Sequence, residues 1–331
     1  MGKNKNFKFD VIIGNPPYQE EKQDVGRQAK PIYNIFIEEA KHLSPQFITL
    51  ITPSRWFAGG IGLDTFRDNM MKDNHIELLV DYPNAKDVFP DNSISGGVNY
   101  FVWSKEYNGE CNFVSMNNGV KTSMVRNLSE FPVLVRHNEA VNIIRKIQNL
   151  HEKTLDTIIS PISPYSLSTK VRGIEQKDNI HNIRLYSSQG ESYISRNEIQ
   201  KGINTIDTYR VMISQTSAEH AGEPSSDGKY RVLTKTMRVM MPGDVCTHSY
   251  IFAGPFKNKS MAENLIDYLQ TKFVRFLLLQ ALTSIHISKS TFLFVPLLDL
   301  NKKWSDELLY QRYALTEQEI DYINSLIKEM A

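Results

Sequence analysis

The stretch "FDVIIGNPPYQ", residues 9–19, decides how this chain is read. A short apolar run, Val11 to Ile13, has the pattern of a fully buried strand. It passes straight into Asn15-Pro16-Pro17-Tyr18. In open α/β sheets ligands sit beyond the carboxyl ends of strands, and Asn15 to Tyr18 occupy that position. The prolines fix φ and remove two peptide N–H groups, so the backbone offers carbonyl acceptors with few competing donors. Asn15 adds a directed side-chain acceptor, and Tyr18 a flat ring with a polar tip. Two acceptors beside an aromatic platform suit an exocyclic amino group on a planar base. The competing reading is a strand that ends in a proline turn, with Tyr18 as a surface aromatic.

Working outward, residues 9–103 alternate strands with helices, the rhythm of an open α/β sheet. "KPIYNIFIEEAKHLS" carries apolar residues at helical spacing. "QFITLITPS" reads as a second buried strand stopped by Pro53. "LDTFRDNMMKDN" reads as a helix with Asp64 near its start, where a carboxylate favours the dipole. "HIELLVDYP" and "GGVNYFVWSK" read as a third and a fourth strand. The expected organisation is a catalytic portion over 1–130 and a connecting helix over 131–159. A recognition domain follows over 160–300, then a C-terminal helical segment over 301–331. Within the recognition domain a single long helix is expected at about 260–282, and "KYRVLTKTMRVMM" is read as β-rich.

The chain has 331 residues, 41% hydrophobic and 23% charged, with net charge +1. No apolar run approaches the roughly 18 residues of a membrane span. The basic start "MGKNKNFKFD" is not followed by an apolar signal core, so a cytoplasmic location and no membrane partner are expected. Two cysteines, Cys111 and Cys246, suggest neither a disulfide framework nor a zinc site, and His248 and His286 lack metal-ligand spacing. No metal is expected. Between Lys229 and Lys289 there are nine basic and three acidic residues, which leaves the rest of the chain at −5. A local basic excess in a neutral protein points to phosphate, although an unevenly charged solvated surface gives the same count.

Asn15 to Tyr18 strongly resemble motif IV of the amino-group DNA methyltransferases. The longer phrase is similar to the adenine-specific enzymes of restriction–modification systems. The likeness continues through "IYNIFIEEAKHLSPQFITLITPSRWF" and "FRDNMMKDNHIELLVDYPNAKDVFPDNSISGGVNYFVW", and more loosely to about residue 300. It implies a partial Rossmann-like methyltransferase sheet followed by an α+β target-recognition domain. It also implies that Asn15 and Pro16 bind the target amino group, that Pro17 shapes the loop and that Tyr18 stacks on the base. The implied donor is S-adenosylmethionine, with its sulfonium close to Asn15, and the implied partner is double-stranded DNA.

The family's glycine-rich donor loop, F-x-G-x-G, is not found ahead of residue 9. "FAGG" at 57–60 and "YIFAGPF" at 250–256 are imperfect substitutes. The chain therefore reads as catalytic and recognition portions without a donor-binding half. Its motif IV strand would then be a sheet edge that pairs with a second polypeptide or a second copy. Candidate DNA contacts are Lys229, Arg231, Lys235, Arg238, Lys257, Lys259, His286, Ser288 and Lys289, each of which also reads as an ordinary surface residue.

Four readings follow. The first is an adenine methyltransferase and the second a catalytically silent DNA-binding or specificity subunit derived from one. The third is a methyltransferase for another planar amide or amino group, and the last a nuclease. The basic stretch favours DNA, and no Asp…Glu-x-Lys cluster supports the nuclease. Nucleoside analysis of methylated duplex separates the first reading from the third, and alanine at Tyr18 separates it from the second.

Overall fold

The computed structural model describes residues 8–20, 29–58, 62–92, 94–117, 119–216, 224–225, 227–282 and 286–330. The chain divides into two compact units, residues 1–140 and 141–331.

The first unit is built on one six-stranded mixed sheet, so the α/β expectation holds. Its strands are β1 (Val11–Gly14), β2 (Phe47–Pro53), β3 (Ile76–Tyr82), β4 (Val98–Ser104), β5 (Cys111–Asn117) and β6 (Val120–Arg126). Their order is β1-β2-β4-β3-β5-β6. β1 runs parallel to β2, with Gly14 opposite Leu50. Helix α1 (Tyr33–His42) makes the crossover between them. Its Tyr33, Ile37 and Ala40 recur at helical spacing and pack with Ile48, Leu50, Phe101 and Trp103 on one sheet face. Helix α2 (Asp64–Met71) adds Phe66, Met70 and Met71 to the same core. Asp73 ties these pieces together: it accepts from Lys41 at 2.6 Å and from the Trp103 indole at 3.0 Å.

β1 departs from the expectation of a buried strand. Val11 is 52% and Ile13 78% exposed, and only Ile12 reaches the core. The reason is position, since among the described residues β1 has a partner on one side only and lies at the edge of the sheet. Burial in a run of apolar residues needs neighbours on both faces, and here just one face is covered.

The connecting helix expected over 131–159 is α3 (Asn138–Gln148), much shorter. Phe131 to His137 form no helix and, apart from the exposed Pro132, are buried in irregular chain. Pro132 lacks the N–H that a helix interior needs. At the other end His151 takes a left-handed φ of 49° and the helix stops before it.

The second unit holds two three-stranded sheets. One has the order β10 (Arg238–Met240), β9 (Tyr209–Ser214), β12 (Tyr250–Phe256), all antiparallel. The other has the order β11 (Asp244–Cys246), β7 (Ile183–Ser187), β8 (Gly190–Ile194). Leu185, Tyr186, Ile194, Met212, Met240 and Phe252 form a shared core. Within it Arg210 is fully buried and donates to the carbonyls of Thr208, Ile206 and Met241 and to the Tyr165 hydroxyl.

The helix expected at 260–282 is two helices, α4 (Lys259–Gln270) and α5 (Lys272–Gln280). Thr271 breaks it with ψ 149° and caps α5 through the Val274 amide at 3.2 Å. The Asp306 carboxylate takes the next two orphan amides, Lys272 at 3.0 Å and Phe273 at 2.8 Å. Helices α6 (Asp306–Arg312) and α7 (Glu317–Leu326) follow α5. Of "KYRVLTKTMRVMM" only β10 is strand, because Leu233 adopts φ +65° and the chain before it pairs with residues 326–328 instead. Among the described residues no helix is long and apolar enough to cross a membrane, and no group of His, Cys, Asp or Glu could hold a metal.

Candidate active site at the carboxyl rim of the sheet

β1, β2 and β3 all point the same way, because β2 and β3 are each antiparallel to β4. Their carboxyl ends therefore share one rim. Asn15 to Tyr18 leave β1 there, a 3-10 turn at Ser54–Phe57 leaves β2, and Tyr82-Pro83 leave β3. Gly96 and Gly97, both at positive φ, enter β4 at the same rim.

Asn15, Pro16, Pro17 and Tyr18 form the irregular chain that follows β1 at this rim. The Tyr18 carbonyl accepts from the Ile32 amide at 3.2 Å, and the Glu20 amide donates to Lys30 at 3.0 Å. A short antiparallel clasp thus closes the loop onto the start of α1. Asn15 is exposed, and its amide makes no hydrogen bond to a described residue. Tyr18 is half-buried, with its hydroxyl oxygen enclosed and without a partner. Burial pushes that hydroxyl above its ordinary pKa, so the ring stays neutral. Chemically, the loop presents a free amide oxygen and proline-rich backbone beside an uncharged aromatic face.

Behind the rim lies a buried polar network that sequence reasoning missed. Arg136 grips Asp81 with Nε at 2.7 Å and Nη2 at 2.8 Å. The Ser54 hydroxyl donates to Asp81 at 2.7 Å, and Asn99 Nδ2 donates to Ser54 Oγ and to the Thr52 carbonyl, both at 3.2 Å. The Ser54 amide donates to the Gly97 carbonyl at 3.0 Å. Gly97, at φ +80°, has no room for a side chain, since a Cβ would lie 2.2 Å from the Tyr82 carbonyl oxygen. The network fixes the turn after β2 to the ends of β3 and β4. A carboxylate that closes the apolar run "LLVDYP" is the one signal that could have marked Asp81. Its partner stands 55 positions away, in a segment read as helix.

Of the two stretches weighed as donor loops, residues 57–60 are described only in part. Gly59 and Gly60 lie outside the described residues. Residues 250–256 are strand β12 throughout, and a Cβ on Gly254 would meet Arg210 Cγ at 3.1 Å.

The candidate DNA contacts are not gathered in one patch. Lys229 and Arg231 flank the end of α7, where Lys229 Nζ donates to the Asn324 carbonyl at 3.4 Å. Lys235 is exposed. Arg238 pairs with Glu191 at 2.7 Å and lies 5.1 Å above the Tyr186 ring. His286, Ser288 and Lys289 lie near the carboxyl end of β9, where His286 bridges Thr216 and Ser288 caps the 3-10 turn Lys289–Phe292. Lys257 and Lys259 sit at the opposite end of that sheet, after Phe256, and Lys259 pairs with Glu263 at 2.8 Å.

Residues 2–89 match the family described as Eco57I restriction-modification methylase. A protein of Mycoplasma pneumoniae described as an uncharacterized adenine-specific methylase is 39% identical over 108 residues. That alignment covers 31% of this chain and 25% of the relative, so the chain spans about a quarter of the relative's length. Among solved structures, the type IIL restriction-modification enzyme MmeI in complex with DNA is similar with TM-score 0.42 and 9% identity, over 86% of this chain and 46% of that one. The type IIG restriction endonuclease BpuSI is similar with TM-score 0.36 and 13% identity, over 95% and 49%. The resemblance to adenine-specific methylases of restriction–modification systems is borne out in the segment that carries Asn15 to Tyr18.

Proposed function

We propose that this chain is the catalytic and target-recognition part of a DNA adenine methyltransferase that uses S-adenosylmethionine. The observation that carries the reading is the unbonded Asn15 amide followed, three residues on in the same loop at the carboxyl rim, by the half-buried, neutral Tyr18 ring. The rim belongs to a segment related to restriction–modification methylases.

An adenine amino nitrogen is a poor nucleophile because its lone pair is delocalised into the ring. Asn15 Oδ1 and the Pro16 carbonyl accept its two hydrogens and favour a pyramidal nitrogen. Tyr18 stacks on the base once it leaves the duplex. Extrusion costs a few kcal/mol, and stacking on an aromatic returns about 1–3 kcal/mol. The chemistry drawn from this chain's own residues is holding and shaping that amino group.

The exposed edge of β1, with Val11 and Ile13 outward, pairs with protein that completes the donor site, either a second polypeptide or a second copy. The basic residues of the second unit contact duplex DNA.

The test is to incubate duplex DNA with the protein and S-adenosylmethionine, digest it, and analyse the nucleosides. N6-methyldeoxyadenosine that disappears with Asn15→Ala supports the reading. A methylated protein side chain or RNA base in its place would move the substrate to another planar amino group. DNA binding unaffected by Tyr18→Ala, with no methyl transfer even when the protein that pairs along β1 is supplied, would make the chain a silent specificity subunit.

A further inference from the structure

Arg184 stands in β7, the middle strand of its sheet, directly between Asp244 of β11 and Tyr193 of β8. Asp244 is 3% exposed and is fixed by two donors, the Met241 amide at 2.7 Å and the Tyr186 hydroxyl at 3.2 Å. Its other oxygen faces Arg184 Nε at 3.9 Å, close enough for an ion pair but too far for a hydrogen bond. Arg184 Nη1 reaches only the Tyr186 hydroxyl, at 3.5 Å. Nε is enclosed and makes no hydrogen bond, yet the side chain as a whole is 41% exposed.

Tyr186, two residues along on the same face of β7, is locked in turn. Its hydroxyl is bound to Asp244, and the Arg238 guanidinium lies 5.1 Å above its ring, itself held by Glu191 at 2.7 Å. On the other side of Arg184, the Tyr193 backbone exchanges two hydrogen bonds of 2.9 Å with Ile174. Gly173 permits that approach, since a Cβ there would lie 2.3 Å from the Tyr193 carbonyl oxygen. A surface arginine without a ligand is either paired tightly, as Arg238 is with Glu191, or unsupported. Arg184 is neither: a buried carboxylate and a locked tyrosine set its direction, and the distances leave its fork of donors available. A planar fork held in one direction matches two acceptors in one plane. In duplex DNA, guanine presents such a pair, N7 and O6, in the major groove. A phosphate asks for less, because a mobile charge meets it as well.

We infer that Arg184 is a sequence-reading residue that donates its fork to a guanine of the DNA target, with Asp244 and Tyr186 as its positioning residues. This role rests on the reading of the chain as a DNA adenine methylase and deepens it. Asn15 to Tyr18 hold the target adenine, and Arg184 fixes one G·C pair of the sequence in which that adenine lies.

The test uses the full chain to select duplexes from a pool randomised in sequence, and repeats the selection with three variants. The wild type enriches a motif with at least one G·C pair. Arg184→Ala loses the preference at one such pair, by roughly ten- to a hundredfold, and keeps it elsewhere. Arg184→Lys keeps the charge without the fork, so it loses the same preference while the salt dependence of binding is unchanged. Asp244→Asn loosens the arginine and weakens the preference at that pair and no other. If Arg184→Ala fails to fold, Arg184→Lys decides. A motif that is unchanged in the Arg184 variants overturns the proposal. A uniform loss of affinity across sequences also overturns it and makes Arg184 a phosphate contact. A wild type that binds duplexes without preference overturns it too, but leaves the DNA reading in place. A wild type that binds no duplex removes the DNA reading and the proposal with it.

Discussion

The carbonyl of Tyr18 accepts a hydrogen bond from the amide of Ile32 at 3.2 Å, so the ring that would carry a base is fixed to the start of α1 by its backbone. Its hydroxyl, in contrast, is enclosed and unpartnered. The hydroxyl thus contributes nothing to holding the ring, and the aromatic face is the working part. We predict that Tyr18→Phe keeps methyl transfer and is neutral or slightly stabilising. Tyr18→Ala loses about 1–3 kcal/mol of base binding. Comparing kcat/KM of the two variants on duplex DNA checks this.

The Asp81–Arg136 pair is predicted to be a point of high stability cost. The side chains are 0% and 7% exposed, and the carboxylate also serves Ser54. Removing one partner leaves the other charged and buried, which costs about 3–5 kcal/mol. Asp81→Asn and Arg136→Met should each lower the urea midpoint sharply, and the double variant should lose less than the two losses added together.

Gly97→Ala should destabilise the same rim. The position needs a left-handed φ of 80°, and a Cβ would press on the Tyr82 and Pro83 carbonyls and on Arg136. Strain of this kind costs on the order of 1–3 kcal/mol. A thermal melt shows a lowered Tm, whereas Gly119→Ala, with open space at its Cβ, changes Tm less.

Burial pushes the thiol of Cys111 up to about 12, and that of Cys246 likewise. Raised folded-state values mean that this contribution to stability is complete below the unfolded thiol pKa, near 8.5. It is lost as pH rises from there toward 12. Stability should therefore fall on the alkaline side. The native protein should not react with a disulfide reagent at pH 8, and both thiols should titrate once it is unfolded.

Among the second unit's cations, Arg231, Lys235 and Lys289 are exposed without an ion pair to a described residue, while Arg238 and Lys259 are engaged by Glu191 and Glu263. Each of the first three replaced by Ala should weaken DNA binding uniformly across sequences and reduce the salt slope by about one. Arg238→Ala and Lys259→Ala should change the slope less. Anisotropy titrations across a range of salt concentrations check the contrast.

The sheet's strands from Phe47 to Ser104 were legible because their apolar runs end at Pro53, Pro83 and the Gly96-Gly97 pair, which are local signals. So was the rim loop, because Asn-Pro-Pro-Tyr after a strand is a local pattern too. The exposure of Val11 and Ile13 was not legible from their own residues, since an edge strand and a central one carry the same apolar run. The hairpin of β5 and β6 went unread, its alternation being masked by the polar residues of its exposed strand. Residues 131–137 passed for helix because their apolar content adjoins the periodic run of α3. The break at Thr271 was hidden because Leu265, Leu269, Phe273 and Phe276 keep helical spacing across it. Asp81 and Arg136 lie far apart in sequence and meet only through topology.

The central claim is that Asn15 to Tyr18 hold an adenine by its amino group. The most direct measurement titrates the protein with deoxyadenosine and with the purine nucleoside that lacks the amino group, following both by NMR. The account predicts tighter binding of deoxyadenosine by roughly five- to tenfold, a preference worth one or two hydrogen bonds, and its loss in Asn15→Ala. Equal affinity for the two nucleosides, with Asn15→Ala indistinguishable from wild type, would contradict it.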